Sequence, residues 1–200
     1  MIGGSNGYIF LFEEGKEMLS RFKAHEQAVS QILIEGSEMI TIGAEGVIKE
    51  WFIEEGCTCK RKISLNVRDI SSLTGEDKIS ILTAERQGNE LIVGLSNELI
   101  VEVNIEGENP KIRVLVAALK GPRALALHPK RDSIIVAGQN KALVEMSYSL
   151  EIVRSKHIGG KAECASISPA GDHIAVGESG GEIEVFEYNV LERKALLKGK

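Results

Sequence analysis

Five times along this 200-residue chain an apolar run closes on glycine. Met1-Ile2 precedes Gly3-Gly4, Ile40-Thr41-Ile42 precedes Gly43, and Leu91-Ile92-Val93 precedes Gly94. Ile134 to Ala137 precedes Gly138, and Ile174-Ala175-Val176 precedes Gly177. Successive final glycines lie 39, 51, 44 and 39 residues apart. A β-forming segment recurring at about 40 to 45 residues marks one supersecondary unit repeated along the chain. Aromatic residues make up only 4% of the chain, against 43% hydrophobic, so Leu, Ile and Val must fill the core.

Ala24 to Phe52 shows the unit most clearly. Apolar segments at Val29 to Ile34, Met39 to Ile42 and Val47 to Phe52 are separated by turns at Glu35-Gly36-Ser37 and Gly43-Ala44-Glu45-Gly46. Three short alternating strands broken by glycine-bearing turns predict an antiparallel meander. His25 at its start and Trp51 at its end, about 25 residues apart, are similar to the signature of a WD-repeat blade. The fold class expected is therefore all-β, with WD-type propeller blades.

The remaining chain divides by the same pattern. Residues 1–23 read as the end of a truncated blade, with strands at Met1 to Gly4, Tyr8 to Phe12 and Met18 to Lys23 around a Ser5-Asn6-Gly7 turn. Residues 24–65 form the His25/Trp51 blade, closed by an outer strand near Cys59 to Leu65. Residues 66–118 form an atypical blade, its long spacing explained by an insertion of roughly ten residues around Asn66 to Asp77. Its strands are expected at Lys78 to Ala84, Glu90 to Leu95, Glu98 to Ile105 and Lys111 to Ala117. Residues 119–156 and 157–200 complete the series. About four complete blades and one partial blade are fewer than a closed propeller usually needs. The expectation is an arc of a larger or tandem propeller, cut at its start in mid-hairpin and aggregation-prone without its neighbours.

In a regular WD blade the His, a strand Ser or Thr, a turn Asp and the Trp satisfy one another's buried polar groups. His25, Thr41 and Trp51 take three of those structural roles. Glu45 stands where Asp is usual, and its longer side chain is expected to reach solvent and leave the chain of hydrogen bonds incomplete. The other blades have Val103, Glu145 or Met146, and Phe186 near the Trp position and no turn Asp, so apolar packing alone is expected to hold them.

These degenerate blades, in this order, resemble the middle of the echinoderm microtubule-associated protein-like (EMAP-like) family. Gly7-Tyr8-Ile9-Phe10-Leu11-Phe12 followed by Lys23-Ala24-His25-Glu26 is similar to the family's G-x-I-x-V-W strand and G-A-H step. Ile92 to Val103 is similar to its I-L-V-G-T-x-x-x-x-I-x-E-V segment. Arg123 to Pro129 resembles its L-W-G-L-A-x-H-P, with Arg123-Ala124 in place of the bulky pair. Ser168-Pro169-Ala170-Gly171-Asp172 with Ile174 to Gly177 resembles its S-P-x-G-x-x-x-A-V-G. The resemblance implies two joined atypical propellers, tubulin or microtubule binding without catalysis, and a cytoplasmic, cytoskeletal or ciliary setting.

Other chemistry finds little footing. Cys57-x-Cys59 lacks the paired spacing and four-ligand set of structural zinc, even with Cys164 or His157. The Gly3 to Gly7 and Gly177 to Gly181 stretches lack the lysine and helix of a phosphate loop. Ser5, Ser96 and Ser179 have no base at a useful spacing. No cofactor, metal or catalytic set is expected. A net charge of −5 disfavours nucleic acid, and no apolar run reaches the roughly 18 residues of a membrane helix. Three cysteines without framework spacing suit a reducing compartment. An acidic partner surface would need a local positive patch; Lys60, Arg61, Lys62 with Arg68, and Lys130 with Arg131, are the candidates. The rival reading is a WD-repeat platform within a ciliary, trafficking or other multisubunit assembly, with no tubulin contact.

Overall fold

A computed structural model describes residues 1–12, 17–53, 57–64, 80–107, 111–117, 121–149 and 151–199. These residues fold into five antiparallel meanders, each with strands hydrogen-bonded in chain order. The chain divides into two compact units, Met1–Ile81 and Leu82–Lys200.

The first unit holds a three-stranded sheet, β1 (Ile2–Gly3), β2 (Tyr8–Phe12) and β3 (Met18–Lys23). It also holds a four-stranded sheet, β4 (Val29–Glu35), β5 (Glu38–Gly43), β6 (Val47–Phe52) and β7 (Thr58–Ser64). Ile9, Ala24, Met39, Trp51 and Cys57 form the core joining them, with the Phe22 ring 4.9 Å from the Trp51 ring.

The second unit holds three four-stranded sheets. The third sheet is β8 (Ile81–Gln87), β9 (Glu90–Leu95), β10 (Leu99–Asn104) and β11 (Lys111–Ala117). The fourth is β12 (Pro122–Leu127), β13 (Ser133–Gly138), β14 (Ala142–Ser147) and β15 (Ile152–His157). The fifth is β16 (Ala162–Ile167), β17 (His173–Glu178), β18 (Glu182–Glu187) and β19 (Glu192–Lys198). Side chains alternate between faces along a strand, so the fourth sheet faces two neighbours at once. Leu125, Ile134 and Val136 pack with Ile92 and Ile100 of the third sheet. Ala124, Ala126, Ile135 and Ala137 pack with Ile174, Val176 and Phe186 of the fifth. All six residues of β13 are therefore buried, whereas β17 alternates between covered and uncovered positions.

The glycines that mark the repeat are explained by close approach. A Cβ on Gly94 would stand 2.7 Å from the Pro122 carbonyl oxygen of the next sheet's first strand, and one on Gly43 would meet the Glu45 carboxylate and the His25 ring. At Gly94 the obstacle is backbone, so that apolar strand must end on glycine.

The expected strands are all present among the described residues, with shifted ends. The third sheet's first strand runs Ile81–Gln87 rather than Lys78 to Ala84. The proposed insertion at Asn66 to Asp77, and Arg68 with it, lie outside the described residues. Among the described residues there is no helix long and apolar enough to cross a membrane.

Candidate functional site

The first buried polar centre is built on the second sheet. The β4–β5 and β5–β6 hairpins place Thr41 beside Trp51, and the segment leaving β3 brings in His25, whose amide, like that of Ala24, donates to the Gly7 carbonyl. Trp51 Nε1–H donates to Thr41 Oγ1 at 2.9 Å. Thr41 Oγ1 lies 2.7 Å from His25 Nε2, and His25 Nδ1 lies 2.8 Å from Glu45 Oε1. The Thr41 hydroxyl has one proton, so the self-consistent order runs from indole to threonine, threonine to Nε2, and Nδ1–H to the carboxylate. Glu45 also accepts from the backbone N–H groups of Glu26 and Gln27 at 3.4 and 3.3 Å.

The expectation that Glu45 would turn to solvent is corrected. Gly43 lacks a side chain, and the carboxylate folds back over the space a Cβ would fill, against His25. The extra methylene is absorbed there and the chain of hydrogen bonds closes. Burial lowers the His25 pKa from its ordinary 6.5, opposed in part by Glu45. Burial would raise Glu45, yet hydrogen bonds from its own amide, His25 and Gln27 prevail and hold it below the usual carboxylate value. A neutral imidazole and a carboxylate, both fully used in hydrogen bonds, suit a structural lock.

A second centre joins the fourth and fifth sheets, and sequence reasoning missed it. Tyr188, fully buried after β18, donates from its hydroxyl toward Ser133 Oγ at 2.8 Å and toward Glu145. Ser133 Oγ–H donates to Glu145 Oε1 at 2.8 Å. Arg154, cross-strand partner of Glu145, reaches Glu145 and the carbonyls of Tyr188 and Asn189. His128 meets the Tyr188 ring edge-on at 4.4 Å. Its Nδ1 accepts from the Lys130 amide and its Nε2–H donates to the Gly171 carbonyl, both at 3.0 Å. Burial pushes the Tyr188 pKa up, reinforced by Glu145. Burial also works against Glu145, but its hydrogen bonds from Tyr188, Ser133 and Arg154 hold the carboxyl low.

The third and fourth sheets repeat the device. Tyr148 lies in a cleft of about 390 Å³ with Gln87, Glu90, Glu102, Arg113 and Asp132, and its hydroxyl bonds Gln87. Burial first, then Asp132, Glu90 and Glu102, push this phenol up to about 12.

Common to all four complete sheets is a glutamate on the third strand paired with an arginine on the fourth. The pairs are Glu50–Arg61 at 2.8 Å, Glu102–Arg113 at 2.7 Å, Glu145–Arg154, and Glu184–Arg193 at 2.7 Å. In three sheets the pair is directly cross-strand; in the fifth the glutamate comes one residue earlier and so lies on the other face. The expectation that the atypical blades rely on apolar packing alone is thus corrected. A recurring Glu followed nine or eleven residues later by Arg was the available signal.

The candidate partner contacts fall into different settings. Lys60 pairs with Glu38 at 2.9 Å and lies over the Phe52 ring. Arg61 is committed to Glu50, and Lys62 is exposed on the outer strand β7. Lys130 Nζ donates to the Ala170 carbonyl at 3.1 Å. Arg131 donates to Asn189 Oδ1 at 3.1 Å and stacks over Tyr188. Both of the latter contacts reach from the fourth sheet to the fifth. Cys57 is buried while Cys59 and Cys164 are exposed, and no group of three or more metal-ligating side chains converges among the described residues.

No family model matches the sequence. The chain is 22% identical over 174 residues to an uncharacterized WD repeat-containing protein of Schizosaccharomyces pombe, covering 85% of this chain. It spans only 27% of that protein's length. Among solved structures it matches the β-propeller domain of Cps50 (Swd1) from Myceliophteria thermophila, with a TM-score of 0.79 at 12% identity. That match covers 98% of this chain and 68% of the other. The fold is thus that of WD-type β-propeller blades.

Proposed function

We propose that this chain is a non-catalytic WD-repeat scaffold whose partner is tubulin or the microtubule lattice, in the cytoplasm or a cilium. Propeller blades of this type generally serve as protein-interaction surfaces. The observation that carries the tubulin reading is the basic outer strand Thr58–Ser64, which presents Lys60 and Lys62 outward. An acidic lattice would attract such a strand despite the chain's net charge of −5. The EMAP-like resemblance of the sequence points the same way.

The second reading, a platform for another protein assembly without tubulin contact, is favoured by Lys130 and Arg131. Both are occupied by the neighbouring sheet, which shrinks the positive surface left for an acidic lattice. Co-sedimentation of the chain with stabilised microtubules across a salt series separates the two. Pelleting that weakens with salt and is lost in Lys60→Glu/Lys62→Glu is expected. A soluble chain at low salt would favour the second reading.

A further inference from the structure

The seam between the third and fourth sheets is an opened copy of the seam between the fourth and fifth. Strand register gives the correspondence. Glu102 lies across from Ile92 and Arg113 as Glu145 lies across from Ile135 and Arg154. Tyr148 follows the third strand of the fourth sheet as Tyr188 follows that of the fifth. An exchange occurs at the start of the second strand, where Glu90 opposite Asn104 takes the place of Ser133 opposite Ser147.

That exchange changes what the parts can do. In the closed seam the Tyr188 hydroxyl donates to Ser133 and Glu145, and Arg131 and Arg154 each lie 5.2 Å from the Tyr188 ring centre. A serine hydroxyl relays a hydrogen bond, whereas the Glu90 carboxylate only accepts and repels Glu102. The Tyr148 hydroxyl bonds Gln87 instead. Arg113 pairs with Glu102 alone and its side chain is 60% exposed, against 27% for Arg154. The hairpin from β8 to β9 turns on Gly88 and Asn89, so this seam has no counterpart of Arg131. Among the described residues no cation lies over the Tyr148 ring, and none pairs with Glu90 or Asp132. The result is a cleft of about 390 Å³ in which Glu90, Glu102 and Asp132 face a single guanidinium, Arg113. All three carboxylates act on the Tyr148 hydroxyl, so their negative field converges beside that ring.

We infer that this cleft binds an arginine side chain of a partner polypeptide, its guanidinium lying on the Tyr148 ring and pairing with Glu90 and Asp132. The closed seam supplies the template: there the chain's own arginines hold both places, over Tyr188 and against Glu145. Charge selects the occupant, since three carboxylates against one cation attract a cation and repel an acidic group. Shape selects guanidinium over ammonium, because a planar fork can stack on the phenol and bond two carboxylates at once. The site lies within the Leu82–Lys200 unit and does not involve the strand Thr58–Ser64, so it stands or falls separately from the tubulin reading.

Nuclear magnetic resonance titration of the full chain with a capped glycine–serine peptide carrying one arginine tests the inference. A second peptide has citrulline, the uncharged isostere, in place of the arginine. Saturating shifts at Tyr148, Gln87 and the Arg113 Nε–H are expected with arginine and not with citrulline. Glu90→Ser restores the residue type of the closed seam and should weaken binding by about fivefold. Asp132→Asn, in an exposed turn, should weaken it by about threefold. A retained urea midpoint verifies that each variant folds, and Asp132→Asn carries the test alone if Glu90→Ser does not fold. No saturating shift with the arginine peptide, equal shifts with the citrulline peptide, or undiminished binding by a folded variant overturns the inference.

Discussion

The two units satisfy their buried polar groups in different places. In the Met1–Ile81 unit, the indole, threonine, imidazole and carboxylate of Trp51, Thr41, His25 and Glu45 form one line inside a single blade and the segment leading into it. In the Leu82–Lys200 unit the buried bonds run between blades, from Tyr188 of one to Ser133 and Glu145 of the other. The first arrangement fixes the shape of a blade. The second fixes how consecutive blades meet, and it substitutes for the missing His and Trp. A blade can thus lose its internal signature and stay well packed, provided its neighbour supplies a tyrosine and it supplies a glutamate–arginine pair.

The largest expected effect lies in the first arrangement. Trp51→Ala removes the anchor of the core and should cost about 3 to 5 kcal/mol in urea denaturation, against under about 1 kcal/mol for exposed Cys59→Ala. Equal midpoints for the two would break the assignment of Trp51 to the blade's centre. Next comes Tyr188→Phe, which leaves Ser133 and Glu145 short of a donor while keeping the ring. About 1 to 3 kcal/mol should be lost, and exchange protection should fall at the facing strands β13 and β17 together.

A pH effect should distinguish the two centres. His25 has a folded pKa below its ordinary 6.5, so the folded state binds this proton less readily than the unfolded chain. Its stabilising contribution is complete above 6.5 and declines as pH falls through the folded value. Glu45, also lowered, adds a loss only below its ordinary 4.5. The urea midpoint should fall between pH 7.5 and 5.5, and the decline should vanish in His25→Gln. The smallest effect is Lys60→Ala, at about 0 to 1 kcal/mol, since its pair with Glu38 is on the surface; a larger loss in thermal unfolding would mean that the outer strand carries more of the fold than its exposure indicates.

Local chemistry was legible in the sequence. Gly43, Gly94 and Gly177 mark strand ends where a Cβ would meet a close neighbour, backbone at Gly94 and the side chains of Glu45 with His25 and of Cys164 at the other two. His25, Thr41 and Trp51 could be matched because their spacing is fixed by two hairpins. The role of Glu45 was not legible, because whether the longer side chain reaches His25 depends on the space above Gly43. Nor was Tyr188, whose partners lie 43 and 55 residues away across another blade, beyond any periodicity of a single strand. Lys130 and Arg131 look like free surface charge until the neighbouring carbonyl and amide are in view.

The most direct test of the contrast is a double-mutant cycle in the second unit, combining Tyr188→Phe with Glu145→Gln under urea. A direct bond between blades predicts a coupling energy of about 0.5 to 3 kcal/mol, so that the double variant loses less than the two single variants together. Strict additivity would show that the hydroxyl and the carboxylate do not act on each other, and would contradict the account.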